Sequence, residues 1–201
     1  MELIHHRRNS IESIVATDTK YGVEVDIRSY GDDLVIHHDP FSPGVLFLDW
    51  IEFYKHGTLI LNVKEEGLES RLIKIMKKRG ISKYFFLDQS FPFLIKWSKI
   101  GEANCAVRVS EYESIETALT LSEKVHWVWV DCFSKFPLTI DGYAALKSAG
   151  FKLCLVSPEL QGRDPMMEIT NMANSLRKNH MVMDAVCTKF PELWEKTGIM
   201  N

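Results

Sequence analysis

The chain has no Cys-x-x-Cys pair, no glycine-rich loop after its first apolar run, and no apolar stretch near the ~20 residues of a membrane span. Each absence excludes something. The four cysteines, Cys105, Cys132, Cys154 and Cys187, are scattered and each lies in or beside an apolar run. That pattern excludes a structural zinc cluster and reads as reduced core thiols of a cytosolic protein. The missing glycine loop argues against a dinucleotide-binding sheet. Neither charge sign dominates: 24 Lys and Arg face 27 Asp and Glu, for a net charge of -3. No nucleic-acid partner is therefore expected. The opening Met1-Glu2-Leu3-Ile4-His5-His6-Arg7-Arg8 puts its basic residues after its apolar ones, the reverse of a signal peptide. A cytoplasmic protein with no membrane span is the expectation. Linkers, low-complexity segments and short repeats are also lacking, so residues 1–201 read as one domain.

What is present is a rhythm. Short β-rich runs at 3–6, 23–29, 58–64, 84–87, 103–109, 126–132, 151–156 and 183–188 alternate with helical patterns. The helical patterns cover 10–21, 46–55, 68–79, 91–100, 111–124, 142–149 and 165–178. A further β-rich run, 34–38, extends the second unit. Strands alternating with helices imply a parallel sheet with right-handed crossovers. Eight such units predict a small α/β protein, a (β/α)8 TIM barrel, with an open doubly wound sheet as the alternative.

In a parallel barrel the chemistry sits where strands end. The first run ends at His6-Arg7. The second carries Glu24 and Asp26, two apart and so on one face. Two inward carboxylates repel each other, and burying them unpaired costs several kcal/mol, on the order of a lost ion pair. A hard divalent cation, Mg²⁺ or Ca²⁺, resolves the conflict, and so would Arg7 or Lys64. The run 34–38 ends His37-His38-Asp39-Pro40, which places histidines, the natural acid/base groups near neutral pH, beside the carboxylates. Asn62 and Lys64 share a face of the third strand, and an inward lysine needs an anion. By parity His5 and His37 point away from this face. Arg108, Asp131 and Glu159 lie near later strand ends, where surface roles serve as well as pocket roles. Trp127 and Trp129 read as packing, and Lys74, Lys77 and Lys78 as a solvated helix face.

His6-Arg7, then Gly22-Val23-Glu24-Val25-Asp26, then Val35-Ile36-His37-His38-Asp39-Pro40 resemble the signature of the glycerophosphodiester phosphodiesterase family. Weaker echoes follow at Asn9-Ser10, Leu61-Asn62-Val63-Lys64, Gln89-Ser90-Phe91 and Val186-Cys187-Thr188-Lys189-Phe190-Pro191. The stronger part covers residues 3–64. The resemblance implies a (β/α)8 barrel that hydrolyses a small-molecule phosphodiester with one divalent cation. It implies His6 and His38 as the acid/base pair, Arg7 and Lys64 on the phosphate, and Glu24, Asp26 and Asn62 at the metal.

The sequence also departs from the family. Asn62 stands where the family has a third carboxylate, which predicts weaker metal binding. Arg8 replaces the glycine after His-Arg, and Lys189 the acid near the end. The long insertion after His-Asp is missing, which implies an open mouth and a different alcohol. These departures keep two other functions in view: a degenerate family member that holds a phosphorylated ligand without turnover, and a sugar-phosphate isomerase or lyase barrel. Neither the alcohols on the phosphate nor the oligomeric state is readable from the sequence.

Overall fold

A computed structural model describes residues 1–199. Ten strands and eight α-helices alternate along it: β1 Glu2–His5, α1 Ile11–Val15, β2 Gly22–Tyr30, β3 Asp33–Ile36, β4 Val45–Leu46, α2 Phe47–Trp50, β5 Leu59–Val63, α3 Glu69–Arg79, β6 Tyr84–Leu87, α4 Phe91–Lys99, β7 Ala106–Val109, α5 Ile115–Leu119, β8 Trp127–Val130, α6 Ile140–Ser148, β9 Lys152–Val156, α7 Pro165–Lys178, β10 Ala185–Thr188 and α8 Pro191–Lys196. The chain forms two compact units: His5–Ile100, and Met1–Ile4 together with the chain from Gly101 onward.

In the first unit β2 is the central strand. It runs parallel to β5, with Asp26 opposite Asn62, and β5 runs parallel to β6. On its other edge β2 turns back into β3, antiparallel, and β3 pairs with the short β4. The 34–38 run is thus a hairpin arm of β2 rather than a separate parallel strand. Gly31, at φ 60, supplies the left-handed turn between them. Val23, Val25 and Ile27 are buried, and so are Glu24 and Asp26 between them. Both faces of β2 are covered, as parallel strands require. Helix α3 buries Leu72 and Met76, four apart on one face, and ends at Gly80 with φ 66 after Lys77, Lys78 and Arg79.

In the second unit β10, β9, β8 and β7 are parallel neighbours in that order. Asp164 caps α7 by accepting from Met167 N at 2.8 Å, with Pro165 at the first helical position. All four cysteines are buried and unpaired by disulfides. Trp127 and Trp129 are buried in β8. No helix among the described residues is long and apolar enough to cross a membrane.

Three predicted helices are much shorter than their patterns. The one expected over 46–55 is α-helical only over Phe47–Trp50 and continues as a 3-10 turn over Ile51–Phe53. The one expected over 10–21 stops at Val15, because Thr17 bonds back to Ser13 O and Asp18 accepts from Lys20 N in a turn. The one expected over 111–124 covers only Ile115–Leu119. Its cap is Ser114, and the preceding Ser110–Glu113 stretch closes on itself through the Ser110 hydroxyl to Glu113 at 2.7 Å.

Candidate active site

Six of the seven residues singled out from the sequence meet at the strand ends of the unit spanning His5–Ile100. Glu24 and Asp26 reach inward from β2, at 1% and 0% exposure. Arg7 sits at φ 52, a left-handed conformation that costs a non-glycine residue about 1 kcal/mol or more. The surroundings enforce it. Arg7 N donates to Glu24 Oε2 at 2.6 Å, Arg8 N donates to Glu24 O at 2.8 Å, and Trp50 Nε1 donates to Arg8 O at 2.8 Å. Arg8 also donates from its guanidinium to His5 Nδ1. The turn thereby aims the Arg7 guanidinium back at the sheet, with Nε 3.3 Å from Asp26 Oδ2.

Asp26 is the hub. Lys64 Nζ lies 3.2 Å from its Oδ1, Asn9 Nδ2 donates to its Oδ2 at 2.8 Å, and Asn9 Oδ1 accepts from its backbone N at 3.1 Å. Glu24 is held differently. Asn62 Nδ2 donates to its Oε1 at 2.8 Å, and His6 Nε2 stands 3.9 Å from its Oε2. Burial, and then the charge of Asp26, push the Glu24 carboxyl up to about 7, against the pull of Asn62, the Arg7 N–H and Lys64. Both cations weighed as partners for the carboxylate pair, Arg7 and Lys64, do contact Asp26.

His38 is the seventh residue. Its ring is exposed and its Nδ1 bonds Asp39 Oδ1 at 2.8 Å, so no contact joins it to the six others. Its backbone is anchored to the site, however. Arg28 donates from Nε to His38 O at 2.9 Å and from Nη1 to Lys64 O at 3.2 Å, and His37 N donates to Asp26 O at 3.1 Å. His5 and His37 stay out of the cluster, as parity predicts. His5 packs edge-on to Tyr21, and burial, Arg8 and His56 lower its ring to about 4, which keeps it neutral.

Two contributors, Arg28 and Asp88, escaped the sequence reading, and a third, Asn9, was noted there only as an echo of the family signature with no role. Arg28 ties the His38 loop to the end of β5. Asp88, at φ 59 after β6, lies 3.1 Å from Lys64 Nζ. Asn9 clasps Asp26 at both ends. For Arg28 a signal was available: it lies two positions from Asp26 on β2, so it shares that residue's face.

The donor set fits a hard cation in kind: Glu24, Asp26 and Asn62 offer oxygen only. The Asn62 Oδ1 is buried without a hydrogen-bond partner, and Asp26 Oδ1 has the charge of Lys64 but no hydrogen bond. Among the described residues no three His, Cys, Asp or Glu side chains converge as a metal cluster. That follows from the third position being an amide. Acidic and basic groups are interleaved at these strand ends: Glu24, Asp26, Glu65, Glu66 and Asp88 stand with Arg7, Arg8, Arg28 and Lys64.

Arg108, Asp131 and Glu159 belong to the other unit, where they are bound into local networks. Arg108 Nη1 pairs with Asp131 Oδ2 at 3.2 Å, and Gln161 Nε2 donates to Asp131 Oδ1 at 2.7 Å. Glu159 accepts from Thr188 Oγ1 at 2.6 Å, from Lys189 N at 3.0 Å and from the Ser157 hydroxyl.

No protein-family model matches the chain, and no curated protein matches it by sequence. Solved structures do resemble it. A glycerophosphodiester phosphodiesterase from Agrobacterium tumefaciens superposes with a TM-score of 0.67 at 12% identity, over 98% of this chain and 99% of that one. A glycerophosphoryl diester phosphodiesterase from Parabacteroides distasonis gives the same TM-score and identity over 98% of this chain and 85% of that one. At such identity the likeness establishes a shared fold over nearly the whole chain.

Proposed function

We propose that the chain is a metal-dependent phosphodiesterase acting on a glycerophosphodiester-like small molecule, built as one closed (β/α)8 barrel domain and working in the cytoplasm. The observation that carries the reading is the gathering of His6, Arg7, Glu24, Asp26, Asn62 and Lys64 at the strand ends of one unit. The shared fold with two phosphodiesterases supports it independently of those residues.

Glu24, Asp26 and the Asn62 amide oxygen would hold Mg²⁺ or Ca²⁺, which when bound polarises a phosphoryl oxygen. The side chains do the rest. Arg7 and Lys64 offer N–H donors and fixed positive charge to the phosphoryl oxygens. One of His6 and His38 takes a proton from the attacking water as its oxygen bonds phosphorus. The other gives a proton to the departing alkoxide as its bond to phosphorus breaks. The products are an alcohol and a phosphomonoester. For His38 this role requires its exposed ring to swing from Asp39 toward the phosphate, a motion open to a surface side chain.

Lys64 and Arg7 are shared with Asp26, so substrate competes for cations already paired. That observation also favours a second reading, a non-catalytic holder of a phosphorylated ligand. Product analysis separates the two. Incubation with a panel of glycerophosphodiesters should release one alcohol and one phosphomonoester in equal amounts. Stoichiometric binding of a diester that stays intact would select the second reading.

A further inference from the structure

Arg28 stands near the end of β2, between the two strands that lead into His38 and Lys64. On one edge β2 pairs with β3, with Arg28 opposite Val35. Strand β3 ends at Ile36, just before His37 and His38. On the other edge β2 pairs with β5, with Ile27 opposite Val63, and Lys64 N donates to Ile27 O at 3.0 Å.

The Arg28 side chain spans the two edges. Its Nε donates to His38 O at 2.9 Å, and its Nη1 donates to Lys64 O at 3.2 Å. One planar group thus holds the backbone of both residues. It is itself braced by Glu65, whose Oε2 lies 4.0 Å from Nη1 and whose Oε1 accepts from Ser29 N at 2.6 Å. At 15% exposure the side chain is not a solvated surface arginine. The guanidinium suits the task, because its donors form a rigid fork. An ammonium is a point charge on a flexible stem and fixes no spacing between two carbonyls.

The consequence differs for the two residues held. The Lys64 ammonium is fixed independently by Asp26 and Asp88. The His38 ring bonds Asp39, so its distance from the site depends on its backbone. A ring that turns on a fixed backbone needs side-chain rotation alone, which is fast. A ring on a displaced backbone meets the phosphate out of place, and about 1 Å of misplacement can cost on the order of 10²-fold in rate.

We propose that Arg28 is a positioning residue, which fixes the backbone of His38 against that of Lys64 so that the acid/base ring and the phosphate-binding ammonium serve one substrate. The proposal rests on the phosphodiesterase reading and adds to it a residue that acts through two others.

Arg28→Ala and Arg28→Lys test it, with a chromogenic phosphodiester and a divalent cation. Arg28→Ala should lower kcat by about tenfold and change KM by less than about twofold, because Lys64 keeps its carboxylate partners. Arg28→Lys keeps the charge but not the fork, and should lower kcat nearly as far. Thermal unfolding of the same samples gives the folded fraction. A purely structural arginine would lower the unfolding temperature and leave kcat per folded molecule unaltered. That result, wild-type kcat in Arg28→Lys, or a loss confined to KM would overturn the proposal. Should Arg28→Ala fail to fold, the same kcat and KM split in Arg28→Lys decides. An active wild type with unimpaired variants removes the role of Arg28 alone. A wild type inactive with every metal removes the phosphodiesterase reading and this role with it.

Discussion

The two units bury carboxylates at their strand ends in opposite ways. In the unit from Gly101 onward, Glu159 takes donors from Thr188, Lys189 and Ser157, and Asp131 is matched by Arg108 and Gln161. These are closed networks, and closed networks hold a fold together. In the unit spanning His5–Ile100, buried acceptors stand open: Asn62 Oδ1, Glu69 Oε2 and Gln89 Oε1 have no donor, and Asp26 Oδ1 has only the charge of Lys64. Arg7 and Asp88, both in left-handed conformations, reach Asp26 and Lys64 there, although Glu123 and His180 of the other unit also have positive φ. Open buried acceptors distinguish the unit spanning His5–Ile100, and it is there that the proposed chemistry lies.

Substitutions should separate the two roles. The largest effect is expected at the histidines. His6→Ala and His38→Ala should each lower kcat for diester hydrolysis by about 10²–10⁴, the range of general acid/base catalysis. Lys64→Met comes next. It removes the proposed phosphate donor and should lower kcat/KM by about 10²-fold, as loss of one electrostatic donor does. A folded variant with full activity would take Lys64 out of the site. Asn62→Glu restores a third carboxylate and should tighten divalent-cation binding by about tenfold in calorimetry. Equal affinity in both proteins would show that position 62 is not a ligand. Glu159→Gln should lower unfolding free energy by about 1–3 kcal/mol, since its donors lose a charged acceptor, and leave diester turnover unchanged. A loss of turnover with stability intact would erase the distinction between the units.

The smallest effect is in the pH dependence. The Glu24 carboxyl is raised from 4.5 to about 7 in the folded protein. Between those values the folded state binds more protons than the unfolded state, so stability falls as pH rises through that window. In chelator, Glu24→Gln should remove this slope. A metal must displace the same proton, so divalent affinity should rise across the window.

Much of this was legible in the sequence because the signals were short-range. Parity on β2 put Glu24 and Asp26 on one face, and the strand-end rule found Arg7, Asn62 and Lys64. The strand rhythm survived almost intact, since buried parallel strands are marked by continuous apolar runs such as Leu59–Val63 and Tyr84–Leu87. What escaped depended on long-range geometry. The clasp of Asn9 on Asp26 spans 17 residues and the bridge from Arg28 to Lys64 spans 36. No local pattern records either. The overlong expectation over 10–21 failed for another reason: the Thr17 hydroxyl and the Asp18 carboxylate compete for backbone groups, which helical periodicity ignores.

The central claim is best tested by following hydrolysis of a chromogenic phosphodiester by the purified protein. Mg²⁺, Ca²⁺ or Mn²⁺ would be compared with chelator, and wild type with His38→Ala. The account predicts turnover that requires a metal and disappears in the variant. Turnover that persists in chelator, or that His38→Ala leaves intact, would contradict it.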